Sequence, residues 1–262
     1  MYGWKGRIGL LIPHRNTTTE PELYRMCPEG VSIHTARMVL KEITPDALVE
    51  MEDEIYKAAS VIEVVNPDVI VVCCTSGSFV KGFGYDKTIM EKITSITKLP
   101  AITTSTAVID ALRCLKITKV AIATPFTDEI NKKESDFIEA HGIHVTRIKG
   151  LGYSKPVTDY PLASKPVSGI GLLHPAVAYR LALDVNTPDA DGIFISCANF
   201  RTIEIIEALE ENTGKPVITS NQATMAMAMK AMGLKERIKG FGSLLADVVS
   251  KNPADNGYAA SR

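Results

Sequence analysis

The chain carries the same α/β unit twice, and this duplication restricts its fold more than any other feature. Asn66-Pro-Asp-Val-Ile-Val-Val-Cys-Cys-Thr-Ser76 resembles Thr187-Pro-Asp-Ala-Asp-Gly-Ile-Phe-Ile-Ser-Cys-Ala-Asn199. Each is a Pro-Asp turn, a β-rich run, then a cysteine followed by small residues. Downstream, Lys98-Leu-Pro-Ala-Ile-Thr-Thr-Ser105 resembles Gly214-Lys-Pro-Val-Ile-Thr-Ser-Asn221, and a helical stretch follows each, Thr106 to Lys116 and Gln222 to Gly233. Upstream, Gly6-Arg-Ile-Gly-Leu-Leu-Ile-Pro-His-Arg-Asn16 pairs with Thr118-Lys-Val-Ala-Ile-Ala-Thr-Pro-Phe-Thr-Asp128. In both, an apolar strand ends at a proline, which stops the ladder, and an Asn or Asp suited to N-capping follows. The units cover residues 6–104 and 118–222.

Within each unit, strand and helix patterns alternate. Residues 45–65 have helix logic: Thr44-Pro45 as a start, early acidic residues, then Ile55, Ala58, Ala59 and Ile62 at spacings of three and four. Residues 68–73 are mostly apolar and β-branched, as in a strand buried on both faces of a parallel sheet. Arg201 to Asn212 is expected to be helical, Pro175 to Asp184 likewise, and Ile238 to Leu244 to be a last strand. The pattern predicts an α/β fold of two doubly wound parallel-sheet lobes, related by a pseudo-two-fold, with the site in the cleft between them. Residues 1–110 and 223–250 are assigned to the first lobe, 111–222 to the second, and 251–262 to a flexible tail.

Twenty-nine Lys and Arg against thirty Asp and Glu leave a formal net charge of −1, which favours neither nucleic acid nor an anionic membrane as partner. No apolar run approaches the ~20 residues that span a bilayer. The stretch Ile8 to Ile12 is too short for a signal-peptide core, so a cytoplasmic protein is expected. Its five cysteines, 27, 73, 74, 114 and 197, should then be thiols.

In open parallel sheets, ligands bind beyond the carboxyl ends of the strands. Four such ends stand out: Pro13–Thr17, Cys74–Ser78, Pro125–Asp128 and Cys197–Asn199. The duplication places Cys74 and Cys197 on opposite sides of one cleft. A thiol at a helix N-terminus is expected to have a lowered pKa. Two such groups can pass protons to and from opposite faces of a carbon, or one can attack an activated alkene while the other protonates its neighbour. N–H groups and hydroxyls around them can hold a carboxylate and stabilise its enediolate. No metal or organic cofactor is called for. Cys27, Cys73 and Cys114 are read as small core hydrophobes, with Cys73 pointing away from Cys74 by strand alternation.

Cys74-Thr-Ser-Gly-Ser78, Cys197-Ala-Asn-Phe-Arg-Thr202, Gly214-Lys-Pro-Val-Ile-Thr-Ser-Asn-Gln222 and Thr124-Pro-Phe-Thr-Asp-Glu-Ile-Asn131 together resemble the aspartate/glutamate racemase superfamily. The branch most similar is that of maleate cis-trans isomerases and arylmalonate decarboxylases, over about residues 5–245. The resemblance implies a cofactor-independent enzyme acting on a small carboxylate, and a homodimer or homotetramer. It implies Cys74 as nucleophile or base and Cys197 as proton donor, with Asn16, Thr75, Ser76, Ala198 and Asn199 holding substrate carboxylates. Position 126 departs from the pattern: the family has a tyrosine there whose hydroxyl holds a carboxylate, and Phe126 has none. Decarboxylases of the branch typically lack the first cysteine, so the pair favours isomerase or racemase activity. Two-base racemisation of an amino acid or hydantoin, or arylmalonate-type decarboxylation, is the alternative. A two-lobed carboxylate-binding protein without turnover is a third reading.

Other signals carry less. His141-Gly-Ile-His144 lacks further ligands at a zinc spacing. The pairs Gly82-Phe-Gly84, Gly150-Leu-Gly152, Gly169-Ile-Gly171 and Gly240-Phe-Gly242 do not extend to a dinucleotide fingerprint.

Overall fold

Each half of the repeat builds a four-stranded parallel sheet. In the computed structural model, residues 1–248 are described. The first sheet holds β1 (Gly6–Pro13), β2 (Val31–Met38), β3 (Val69–Val72) and β4 (Ala101–Thr103), in the order β2-β1-β3-β4. The second sheet begins with β5 (Lys119–Thr124) and β6 (His144–Gly150). A small antiparallel hairpin of β7 (Pro156–Val157) and β8 (Val167–Ser168) intervenes, and β9 (Gly192–Ile195) and β10 (Val217–Thr219) complete the sheet. Its order, β10-β9-β5-β6, is that of the first sheet read in the other direction. The doubly wound, two-lobed architecture is as the repeat predicts.

Helices α1 (Thr19–Met26), α2 (Pro45–Glu50), α3 (Glu52–Ile62), α4 (Thr75–Phe79), α5 (Tyr85–Thr97) and α6 (Thr104–Cys114) accompany the first sheet. Helices α7 (Asp128–Ala140), α8 (Pro175–Val185), α9 (Ile206–Thr213) and α10 (Ser220–Ala231) accompany the second. Every residue of β3 and of β9 is buried, because helices cover both faces of each sheet. The duplication extends to the helix ends. Lys98 after α5 and Gly214 after α9 are left-handed, with φ of 60° and 66°. The Thr103 and Thr219 hydroxyls accept the N–H groups of Thr106 and Gln222, the latter as a full capping box. Helices α6 and α10 pack on each other where the lobes meet, and Thr104 and Thr224 hydroxyls join across that seam at 3.1 Å.

Three expectations are corrected. The helix expected over residues 45–65 divides at Met51 into α2 and α3. The helix expected from Arg201 begins only at Ile206, since preceding N–H groups are taken from outside, as described below. Ile238 to Leu244 is not a strand: Gly240 and Gly242, with φ of 91° and 79°, bend the chain into a π-helical turn from Leu244. The tail 251–262 lies outside the described residues, and among those no helix is long and apolar enough to cross a membrane.

Candidate active site

Carboxyl ends of strands from both sheets open into one interlobe cleft. It is lined by Asn16, Cys74, Thr75, Ser76, Phe126, Cys197, Ala198 and Asn199, every site residue named from sequence. Cys74 ends the β3 run and caps α4, with its sulfur against the Gly77 N–H and the Ser76 hydroxyl. A β-carbon at Gly77 would lie 3.0 Å from that sulfur and 2.6 Å from Met51 Cε, so only glycine leaves the sulfur its place. Cys197 follows β9 with φ of 95°, a region that L-residues rarely occupy and that clusters at functional sites. The Asn199 N–H donates to its sulfur at 3.4 Å. Ser220 joins the two cysteine loops: its Oγ accepts the Thr75 hydroxyl and the Cys197 N–H, each at 3.0 Å.

The backbone N–H groups of Thr75, Ser76 and Ala198 take no hydrogen bond among the described residues. The first two lie in the opening turn of α4, where a helix has no internal partner to offer. These unpaired donors belong to residues that line the cleft from both lobes, and such groups suit a carboxylate. Asn16 is partly committed: its Oδ1 accepts the Thr18 and Thr19 N–H groups at 2.9 Å, and its Nδ2 donates to Thr19 Oγ1.

Burial overturns the expected acidity of the thiols. Desolvation pushes Cys74 up to about 11, although the Gly77 and Ser76 donors pull the other way. Cys197 is raised as well, by burial first and by Cys74 and Glu134 in addition, against the Asn199 N–H. Without substrate both sulfurs are therefore thiols at neutral pH. Cys73 is fully buried in the core cluster, as expected, though with polar neighbours. Its sulfur meets Thr19 Oγ1, Thr104 Oγ1 and Asn221 Oδ1 at 3.6 to 3.9 Å, and it touches the cleft floor.

Two further segments wall the cleft. One is the strap 40–43 after β2, tied down by Leu40 N–H on His14 Nδ1 and by Arg15 on the Leu40 and Lys41 carbonyls. The other is 153–156, which receives the strap through an Ile43 N–H to Ser154 O bond of 2.7 Å. With Phe126 and Ile170 they make much of the lining apolar. Among the described residues no cluster of three His, Cys, Asp or Glu side chains is placed to hold a metal ion.

Two buried carboxyls flank the cysteine loops. Burial raises Glu22 to about 7, against donors from Asn221, Thr202 and Ile203, and Glu134 to about 8, against Ser196. Glu134 Oε2 has no partner among the described residues. The folded chain keeps protons that the unfolded chain releases near pH 4.5. This contribution to stability is complete below that pH and is lost as pH rises through about 7 and about 8. Glu134→Gln should therefore gain stability over the parent steadily from pH 5 to about 8, by about 1.4 kcal/mol per pH unit within the window, and level off above it. Urea midpoints at several pH values measure it, and parallel curves for the two proteins would refute it.

A two-lobed doubly wound protein with paired cysteines at its strand ends belongs, by its family match, to the arylmalonate decarboxylase family, whose model covers residues 8–245. The maleate isomerase of Alcaligenes faecalis is 25% identical over 256 residues, 92% of this chain and 97% of that protein. The arylmalonate decarboxylase of Bordetella bronchiseptica is 26% identical, over 90% and 95%. A cysteine-to-alanine variant of the maleate isomerase of Pseudomonas putida S16, solved with maleate, superposes with a TM-score of 0.86 at 25% identity, over 94% of this chain and 99% of that one. Isomerase and decarboxylase are thus equally near by identity, and the site must distinguish them.

Proposed function

We propose that the chain is a cofactor-independent, cysteine-dependent cis-trans isomerase of a small unsaturated dicarboxylate such as maleate, acting in the cytoplasm as a homo-oligomer. The observation that carries this reading is the cysteine pair in one cleft beside N–H donors from both lobes. A substrate carboxylate on the Thr75, Ser76 and Ala198 N–H groups withdraws electrons from the adjacent double bond. Cys74 sulfur adds to one alkene carbon, and the π electrons move onto the carboxylate as an enediolate. Cys197 gives its proton to the other alkene carbon, and the proton released by Cys74 restores Cys197. The resulting single bond rotates, and reversal expels Cys74 as the trans alkene forms. The raised thiol pKa values suit this sequence: Cys197 arrives protonated, as a donor must, and Cys74 ionises only as substrate is engaged. A decarboxylation needs one proton donor and leaves Cys74 without a task.

Maleate incubated with the protein and followed by NMR should yield fumarate. Absence of turnover, with no exchange of solvent deuterium into candidate amino acids or hydantoins and no CO2 released from arylmalonates, would leave only the binding-protein reading. The phenol that position 126 lacks is supplied by Tyr153, which lines the same cleft and whose N–H holds Pro125 O at 2.8 Å. Its hydroxyl takes no hydrogen bond among the described residues. Tyr153→Phe is expected to raise KM for the dicarboxylate about tenfold or more, the worth of a hydrogen bond to a charged group, with kcat changed less. An unaltered KM would remove Tyr153 from the binding set.

A further inference from the structure

The repeat that equates the cysteines also equates two glutamates. Glu22 lies nine residues after Pro13 and Glu134 nine after Pro125, and both are buried. They are used differently because the two cysteine loops differ. After Cys74 the chain turns at once into α4 and satisfies itself, Ser78 N–H donating to Cys74 O. After Cys197 no helix forms until Ile206. The N–H groups of Thr202 and Ile203 instead donate to Glu22 Oε1, at 2.6 and 3.2 Å. Glu22 Oε2 accepts Asn221 Nδ2 at 2.6 Å, and the same amide donates to Ala198 O at 3.0 Å. Thr19 Oγ1 adds a bond to Ala198 O, and Thr18 Oγ1 one to Asn199 O. Where the second unit has Asn221 the first has Ser105, which reaches only the Thr75 carbonyl and Ser78.

We propose that Glu22 is a positioning residue for Cys197: from α1 in the first lobe its two carboxyl oxygens pin the 197–203 loop at Thr202 and Ile203 and, through Asn221, at Ala198, and so hold Cys197 in its left-handed conformation facing the cleft. An unfavourable φ persists only where the surroundings over-determine it, and these bonds are the surroundings. The donors come from one lobe and the acceptor from the other, so the clamp also ties the lobes together at the sulfur that must deliver a proton. Charged or titratable groups around Glu22 include Glu204, paired with Arg201 and with Arg25 of α1, and Cys73 at the end of the β3 run. None supplies a cation to Glu22 in place of the loop N–H groups. Glutamine at 22 could still accept from the loop but would set an NH2 group against Asn221 Nδ2.

The inference rests on the reading of Cys197 as proton donor, but its test does not require turnover. Iodoacetamide labelling followed residue by residue by mass spectrometry compares the parent with Glu22→Gln, with Asn221→Ser (the residue of the other unit) and with Ile93→Val, a buried change on α5. Glu22→Gln should label Cys197 about tenfold faster while Cys74 stays within about twofold of the parent, as local opening requires. Asn221→Ser should shift Cys197 in the same direction by less, and it keeps the question open to measurement should Glu22→Gln not fold. With an active substrate, kcat should fall and KM hold. Equal acceleration at both cysteines, matching Ile93→Val, or no change at Cys197 in either clamp variant would overturn the proposal.

Discussion

Cys74→Ala should lower kcat/KM for maleate by on the order of 10⁴ or more, the loss expected when the group that forms the covalent bond is removed. Cys197→Ala should cost about 10²–10⁴-fold, the range for a positioned proton donor. The two losses should not add in the double variant, because addition and protonation belong to one step. The variants should also differ in kind. Without Cys197 the Cys74 sulfur is still present to add to the dicarboxylate, whereas Cys74→Ala should form no covalent adduct with the substrate. Fumarate formation by NMR and intact-protein mass together measure this. Equal, small losses in both variants would mean that the sulfurs line the cleft without reacting. Cys73→Ala is the control: its sulfur is engaged by threonines and Asn221, and turnover should survive.

The fold was legible because the chain repeats. The Pro-Asp turns, the continuously apolar strands and the prolines after β1 and β5 are local signals, and their recurrence in the same order implies equal topology in both halves. The cysteine positions followed from the same alignment. What escaped was non-local. The strap 40–43 has no unusual composition; it matters because the lobes bring it against 153–156, as the Ile43 to Ser154 bond shows. Thiol acidity was misjudged for a related reason. The helix N-terminus at Cys74 is visible in sequence, but the depth of burial that outweighs it is not. Glu22 and Glu134 carried a signal, an equal distance from equivalent prolines, yet acidic residues early in a helix are ordinary, and only burial sets these two apart.

Gly150→Ala should be the most damaging single methyl in the second lobe. Gly150 ends β6 opposite Thr124, and a β-carbon there would stand 2.1 Å from Phe126 O, 2.4 Å from Asn131 Nδ2 and 3.0 Å from Thr124 Oγ1. The nearest of these is backbone, so no rotamer change relieves it. Nor can the loop simply retreat. Thr124 Oγ1 accepts the Phe126 N–H, Gly152 N–H is on Phe126 O, and Tyr153 N–H is on Pro125 O. Overpacking of this kind typically costs about 1–3 kcal/mol and occasionally more. At roughly 2–4 °C per kcal/mol for a chain near this size, the expected fall in Tm is up to about 10 °C. Gly142→Ala separates this steric effect from a conformational one. Gly142 has a φ of 81° with open space around it, so alanine there meets only the left-handed penalty of about 1–2 kcal/mol. Because the displaced loop carries Phe126 and anchors Tyr153, Gly150→Ala should also raise KM in the fraction that remains folded, while Gly142→Ala leaves KM alone. A Tm for Gly150→Ala no lower than that for Gly142→Ala would show that the 125–127 loop yields more easily than its hydrogen bonds imply.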